Sequence, residues 1–527
     1  MLYDDSFMDS YPVLTPADMR RTEEKAFSLG VPSLLLMEHA AIAVVEELEK
    51  ALGGNCRDRE VLFLCGKGNN GGDGLAAARL FLQRGGRPTV WLYGEPQTRD
   101  AALQRQWLKR LLRDKDILDW SLLPREQWPL RGEGPDRPFD GYVDALLGTG
   151  FRGDADERMA RMMLVPYHDF HLGGDMPPVI AVDIPSGIDG KTGRCAGAFV
   201  HADVTVTFHA PKPGLYLTRA REAVGKIVVA DIGLWSMAPW NSDQLTLDDP
   251  EIDCEVLTPK ALRLQPRAIS AHKGDCGRVL IYAGRLGMAG AAAMCAQAAV
   301  TAGAGLTTVA CEKDIIPILQ TLAPNAMCVE IQKAVATPYD VLALGCGLGQ
   351  SEAVWQNILN IWDKDRPSVW DADALNLLAW HPMRLGEKAV ITPHIGEAAR
   401  LLGCSAKEIL EDRLLAARRL AETFDCTAVL KSDVTVICGI SEGKPVYRLN
   451  AVGSPALAKG GSGDALTGIL AVLLHGCNGM LLFPAAEACL WHGLASVAGA
   501  KRYGEREMTT AQLISCLHEA EKAAGEL

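Results

Sequence analysis

Unbroken apolar runs alternate along this chain with longer segments whose apolar residues recur at helical spacing. The runs Val61–Cys65, Thr89–Tyr93, Gly141–Leu147, Val179–Asp183, Val204–Phe208 and Lys226–Ala230 read as strands. Continuous apolar strands separated by helices predict a mostly parallel sheet covered on both faces. Thr15-Pro16-Ala17-Asp18 predicts a helix N-cap with proline at the first helical position, closed at Gly30, and Ser33–Leu52 a second helix ending at Gly53-Gly54. Between Ser236 and Pro259 the pattern lapses into a polar, acidic stretch, the expected linker. The alternation then resumes with Arg278–Tyr282, Leu306–Ala310, Tyr339–Leu344, Ser368–Asp371, Ala389–Ile391, Thr427–Lys431 and Thr435–Cys438. Two α/β domains are expected, over residues 1–240 and 250–527.

Length supports that division, because 527 residues exceed what one core usually organises. The balance of 48% hydrophobic and 22% charged residues is that of a soluble globular protein. A net charge of −12 with no long basic block argues against a nucleic-acid partner. Fifteen cysteines, scattered and without a C-x-x-C pair, predict reduced thiols and a cytoplasmic protein. No signal peptide is expected from Met1-Leu2-Tyr3-Asp4-Asp5. Two uncharged runs, Leu286–Cys311 and Ala465–Ala486, are interrupted by Gly303-Ala304-Gly305 and by His475, Asn478 and Pro484. They predict buried core helices rather than membrane spans.

Two glycine-rich loops carry the chemistry. Gly66-Lys67-Gly68-Asn69-Asn70-Gly71-Gly72-Asp73-Gly74 follows a strand and leads into a helical pattern over Leu75–Gln83. Gly460-Gly461-Ser462-Gly463-Asp464 opens another over Ala465–Leu474. Backbone N–H groups bared at a helix N-terminus attract anions, so each loop predicts a phosphate-bearing ligand. Gly66, Gly68 and Gly71, with Glu95 downstream, fit the dinucleotide fingerprint, which does not call for Asn69, Asn70 or Asp73. Ligands of such sheets gather at strand carboxyl ends, where Asp144–Gly153 and Asp183–Gly187 also lie. Asp183 reads either as an acid/base or as a turn-forming residue before Ile184-Pro185, and Asp144 as a ligand group or a strand-end cap. In the second loop three amides suit a transferred phosphoryl group, and Asp464 either accepts a proton from the attacking hydroxyl or caps the helix. Gly190-Lys191-Thr192 is no P-loop, since Pro185 stands where its first glycine is needed.

The full first string, with Asp144-Ala145-Leu146-Leu147-Gly148-Thr149-Gly150 and Val182-Asp183-Ile184-Pro185-Ser186-Gly187, resembles the NAD(P)HX epimerases, a Rossmann-like family. Met37-Glu38-His39-Ala40-Ala41 departs from that family's usual Met-Glu-Asn-Ala-Gly. The resemblance implies that Asn69, Asn70, Gly71, Gly72, Asp73, Gly148, Thr149, Gly150, Phe151, Arg152, Gly153, Asp154 and Asp183 hold the hydrated dinucleotide. It implies potassium on Asn70, Asp144 and Ser186, and Asp183 as the catalytic acid/base.

The C-terminal half is similar to the nucleotide-dependent NAD(P)H-hydrate dehydratases, which have a ribokinase-like fold. The match rests on His272-Lys273-Gly274, Gly290-Ala291-Ala292, Gly345-Cys346-Gly347-Leu348-Gly349, Asp371-Ala372-Asp373, Thr392-Pro393-His394, Lys431 and the second glycine loop. It implies Ala291, Gly349, His394 and Asp464 against the hydrate, with Asp464 catalytic, and Lys431, Ser432, Asp433, Val434, Thr435 and Gly463 against the nucleotide. Cys346, Ser432 and Lys459 depart from the usual pattern around that pocket. Together the halves imply repair of NADHX and NADPHX, with ADP favoured over ATP, magnesium, and a homo-oligomer that engages neither nucleic acid nor membrane. A vitamin-precursor kinase with a non-catalytic N-terminal domain, and a nucleotide-binding sensor without turnover, remain alternatives.

Overall fold

The structure, a computed structural model, describes residues 9–124, 139–151, 153–167, 176–195, 197–234, 252–264 and 266–526. Residues 13–234 form one compact unit; residues 252–526 form a second, to which the N-terminal strand Ser10–Pro12 also belongs.

Seven parallel strands make the first sheet, in the spatial order Ile117–Asp119, Arg87–Leu92, Glu60–Cys65, Gly141–Ala145, Val179–Val182, Val204–Phe208 and Lys226–Ala230. Strand order therefore reverses between Glu60–Cys65 and Gly141–Ala145, the crevice where doubly wound sheets bind ligands. The apolar runs are continuous because both faces are covered. Val61, Phe63 and Cys65 pack with Val44, Leu48 and Leu75, whereas Leu62 and Leu64 pack with Trp120, Met162 and Met163. Each such side chain contributes about 1.5–3 kcal/mol on burial. Helix Pro16–Ser28 is capped as expected, Thr15 accepting from the Asp18 N–H at 3.1 Å.

The helix after the first glycine loop starts at Asn69, six positions before the apolar pattern begins. The glycines are needed there for close approach rather than to loosen the backbone. A Cβ at Gly71 would lie 2.0 Å from the Gly66 carbonyl oxygen, and one at Gly74 would lie 2.5 Å from the Ala145 side chain.

Eleven strands make the second sheet: Ser10–Pro12, Asp253–Leu257, Lys444–Asn450, Thr435–Ser441, Thr427–Leu430, Ala389–Ile391, Ser368–Trp370, Val341–Leu344, Arg278–Tyr282, Leu306–Cys311 and Met327–Glu330. Pairing is parallel from Thr427–Leu430 to the Met327 edge and antiparallel on both sides of Thr435–Ser441. The expected linker is corrected here. Its end, Asp253–Leu257, is a strand in which buried Cys254 and Val256 alternate with exposed Asp253 and half-buried Glu255. Residues 236–251 of that stretch lie outside the described residues.

The uncharged runs resolve as helices Ala289–Ala302, Ser462–Leu473 and Leu482–Tyr503, with strand Leu306–Cys311 ending the first run. No described helix is long and apolar enough to cross a membrane. All fifteen cysteines are free thiols.

Candidate functional sites

At the first site, strand Gly141–Ala145 delivers Asp144 with only 1% of its surface exposed. Its carboxylate accepts from Ser186 Oγ at 2.6 Å, Ser186 N at 2.7 Å and Leu146 N at 3.3 Å. Burial pushes the Asp144 carboxyl up to about 6, against the pull of these bonds. Asn70 lies in the first turn of the helix that Gly68 begins, and no side chain caps that turn. Both side-chain amide atoms of Asn70 are buried without a hydrogen-bond partner. Asn70 borders Gly148, where a Cβ would lie 3.3 Å from Asn70 Oδ1. The three oxygen-bearing residues thus come from two strand ends and one helix start.

Asp183 ends strand Val179–Val182 in a left-handed conformation, φ +66°. Such a backbone costs a non-glycine residue on the order of 1–3 kcal/mol and is held only where its surroundings over-determine it. Here Asp183 N donates to Val206 O at 2.8 Å. Asp183 Oδ1 accepts from Lys212 Nζ at 2.5 Å and Thr207 Oγ1 at 3.1 Å, and Lys212 Nζ also donates to Phe208 O at 3.1 Å. Lys212, fully buried, is a residue the sequence reading missed; its position between Pro211 and Pro213 was the available signal. Glu23 was missed as well. Burial first, then the Asp183 carboxylate, raises its carboxyl to about 7. Asp73 is raised well above the carboxylate range by burial, Asp183 and Glu23.

Of the other predicted contacts, Gly148 accepts from the Phe151 N–H at 3.1 Å, closing a turn around Thr149 and Gly150, and Gly153 takes φ +90°. Asp154 lies on the exposed surface, 3.3 Å from Arg194, and Arg152 lies outside the described residues. Glu95, with its side chain 67% exposed, pairs with Arg105 at the surface. His39 Nδ1 lies 3.0 Å from Ile232 O, a backbone contact.

At the second site, helix Ser462–Leu473 begins at Gly461 in a left-handed conformation, φ +94°, and no side chain caps it. Asp464 therefore sits in the first turn without being the cap. Burial, then the Asp371 and Asp373 carboxylates, raise its carboxyl to about 6, opposed by the Cys346 thiol and Lys431. Asp371, 2% exposed, accepts from Lys431 Nζ at 2.7 Å and from Thr467 Oγ1 at 2.8 Å. Burial raises the Asp371 carboxyl, but Lys431 and these hydrogen bonds outweigh it and hold it low. Gly463 faces the pair: a Cβ there would lie 3.4 Å from Lys431 Nζ. The structure thus gathers Gly463, Asp464, Lys431 and Asp371; Asp371, Thr467 and His492 have no role in the sequence reading. His492 is buried with Nε2 unpartnered, and burial lowers its imidazole to about 4.

His394 caps helix Ile395–Leu402, its Nδ1 accepting from Gly396 N at 2.9 Å and Glu397 N at 3.3 Å. Its ring keeps 55% exposure, and its Nε2 lies 3.5 Å from the Glu397 carboxylate. Gly349, φ +79°, donates its N–H to Asp373 at 2.7 Å, and buried Ala291 packs beside Gly347. Ser432 and Asp433 accept from Arg413 at 3.0 and 2.5 Å. The Val434 side chain is wholly in the core, which leaves only its backbone for a ligand, and Thr435 opens the next strand.

Among the described residues, one group of three His, Cys, Asp or Glu side chains lies close enough to share a metal ion: Cys346, Asp371 and Asp464, with ligand atoms within 4.8 Å of one another. It fits magnesium poorly. That ion demands six oxygens, and here one donor is a thiol and Asp371 is already neutralised by Lys431.

A family model described as NAD(P)H-hydrate dehydratase matches residues 279–519, and one described as YjeF-related protein N-terminus matches residues 33–214. The bifunctional NAD(P)H-hydrate repair enzyme Nnr of Escherichia coli (strain K12) is 37% identical over 511 residues, 95% of this chain and 92% of the relative. Its counterpart in Moorella thermoacetica is 36% identical over 537 residues, covering 96% of each. Among solved structures, the ADP/ATP-dependent NAD(P)H-hydrate dehydratase of Bacillus subtilis, co-crystallised with ATP and Mg²⁺, is 28% identical with a TM-score of 0.45, over 51% of this chain and 96% of that one. With both halves matched in order and relatives aligned over nearly its whole length, this chain belongs to the family of bifunctional NAD(P)H-hydrate repair enzymes.

Proposed function

We propose that the first unit interconverts the C6 epimers of NADHX and NADPHX, and that the second dehydrates one epimer at the expense of ADP, releasing AMP and phosphate. Asp183 moves the proton at the C6 hydroxyl in the first reaction. Its support is its seat at a strand end beside the switch point, with Lys212 holding the carboxylate from behind. Asn69–Asp73 and Gly148–Asp154 bind the dinucleotide, the helix start favouring its diphosphate. The donor set at Asn70, Asp144 and Ser186 fits potassium in its chemistry: a buried amide without a partner, next to Gly148, and a bonded pair of carboxylate and hydroxyl oxygens. Held by these residues, potassium would supply positive charge to an anionic dinucleotide.

In the second unit Asp464 takes the proton of the C6 hydroxyl, whose oxygen attacks the terminal phosphoryl group of ADP. The phosphorus–oxygen bond to AMP breaks; phosphate then leaves C6 as a proton leaves C5, restoring the reduced ring. The single observation that carries this is the gathering of Asp464, Gly463, Lys431 and Asp371 at an uncapped helix start. Gly463 and Lys431–Thr435 contact the nucleotide; Ala291, Gly349 and His394 contact the hydrate. Magnesium, on this reading, arrives with the nucleotide phosphates rather than on a protein cage. The enzyme is taken to act in the cytoplasm as a homo-oligomer. Product analysis tests the assignment: AMP and inorganic phosphate must each match the reduced cofactor formed, whereas a phosphorylated organic product marks a kinase.

Two further outcomes follow. Asp464 must be ionised to accept a proton, so dehydration should be half-maximal near pH 6, full about one unit above it and fall towards tenfold per unit below it, in a pH–rate profile of kcat. Potassium should raise the melting temperature of the first unit when compared with tetramethylammonium, and Asn70→Ala should abolish the increase. A potassium shift that persists in that variant removes Asn70 from the ion's ligands.

A further inference from the structure

Cys346 stands apart from the other buried thiols because of what it faces. It follows strand Val341–Leu344 in a turn whose glycines are fixed by close packing: a Cβ at Gly345 would lie 1.8 Å from the Asp371 carbonyl oxygen, and one at Gly347 would lie 3.1 Å from the Ala291 side chain. The turn leaves Cys346 only 1% exposed, with Sγ and carboxylate oxygens of Asp371 and Asp464 all within 4.8 Å of one another. The two carboxylates are not equivalent. Asp371 already has Lys431 and Thr467, whereas Asp464 has the Cys346 thiol within 4.8 Å of a carboxylate oxygen.

We propose that Cys346 is a positioning residue of the dehydration reaction, donating its S–H to the Asp464 carboxylate and holding that carboxylate where the substrate hydroxyl meets it. The proposal rests on the reading of Asp464 as the base. The thiol is suited to permanent donation: the neighbouring Cys295 thiol, burial and the two carboxylates keep it protonated well above its ordinary range. A thiol is a weak donor even to an ionised acceptor, so a roughly tenfold effect is the expected scale.

The test compares Cys346→Ala and Cys346→Ser in the full-length chain by kcat, KM and the pH–rate profile of dehydration, with epimerisation as an internal control for folding. Asp371, Asp373 and Lys431 face Asp464 unchanged in both variants. Cys346→Ala should lower kcat about tenfold, leave KM within about twofold and move the acid limb to higher pH, because the bond favouring the carboxylate is gone. Cys346→Ser, which restores a donor, should return the limb and most of kcat. An alanine variant with unchanged kcat and limb, or a serine variant that behaves like alanine, overturns the proposal. Asp464→Asn separates the two readings. If it dehydrates normally the base assignment fails; if it is inactive while Cys346→Ala is unaffected, only the positioning role fails.

Discussion

Asp464→Asn is expected to slow dehydration at least about a hundredfold while leaving epimerisation and melting near those of the parent. Loss of a general base costs on the order of 10²–10⁴ in rate. The competing explanation, an acidic helix cap, predicts a loss of about 1 kcal/mol of stability and most turnover retained. Geometry separates the two, because the N-cap position is Gly461 and no side chain caps the helix. The sign of the electrostatics agrees. A carboxyl raised to about 6 in the fold is favourable to stability when protonated and unfavourable once pH rises through that value. A neutral amide at pH 7 therefore removes a cost instead of adding one. A variant dehydrating within a few-fold of the parent would make Asp464 structural.

Asp183→Asn should reduce epimerisation by a similar factor, about 10²–10⁴, and spare dehydration of the correct epimer. Here stability is not spared. Lys212, fully buried, would lose its carboxylate partner, and breaking a buried pair by removing one member costs about 3–5 kcal/mol. Melting of the first unit should fall accordingly, so rate loss alone cannot distinguish chemistry from unfolding. The double variant Asp183→Asn/Lys212→Met does: it should recover melting and not epimerisation. Recovery of both would reduce Asp183 to a counter-ion for Lys212.

The strands buried on both faces were legible because their environment leaves a simple mark, an unbroken apolar run such as Val61–Cys65 or Val204–Phe208. Strands at or near a sheet edge were not. Asp253–Leu257 carries charges at its exposed and half-buried positions, Lys444–Asn450 carries exposed Lys444 and buried Arg448, and Met327–Glu330 is only half-buried, so none shows an unbroken apolar run. The N-terminal strand Ser10–Pro12 pairs with a segment more than two hundred positions away, and no local pattern announces that. A split of the chain near residue 243 would therefore strand this piece of the second sheet on the first fragment. At the sites, the second glycine loop located Asp464 and the strand-end motifs located Asp144 and Asp183, but Lys212 beside Asp183, and Asp371 and Cys346 beside Asp464, matter through distances in space. The glycines themselves were read as freeing amides, and Gly71 and Gly74 prove to be required by packing.

The most direct measurement supplies the intact protein with a mixture of both epimers of hydrated NADH and excess ADP, and follows the near-ultraviolet absorbance of the reduced ring to completion. A chain carrying both activities should restore the whole mixture to NADH, with AMP and inorganic phosphate each equal to the NADH formed. With Asp183→Asn/Lys212→Met, recovery should pause at the share of one epimer. Contradiction would be parent protein that halts at that share, or that consumes ADP into a phosphorylated product without restoring the cofactor.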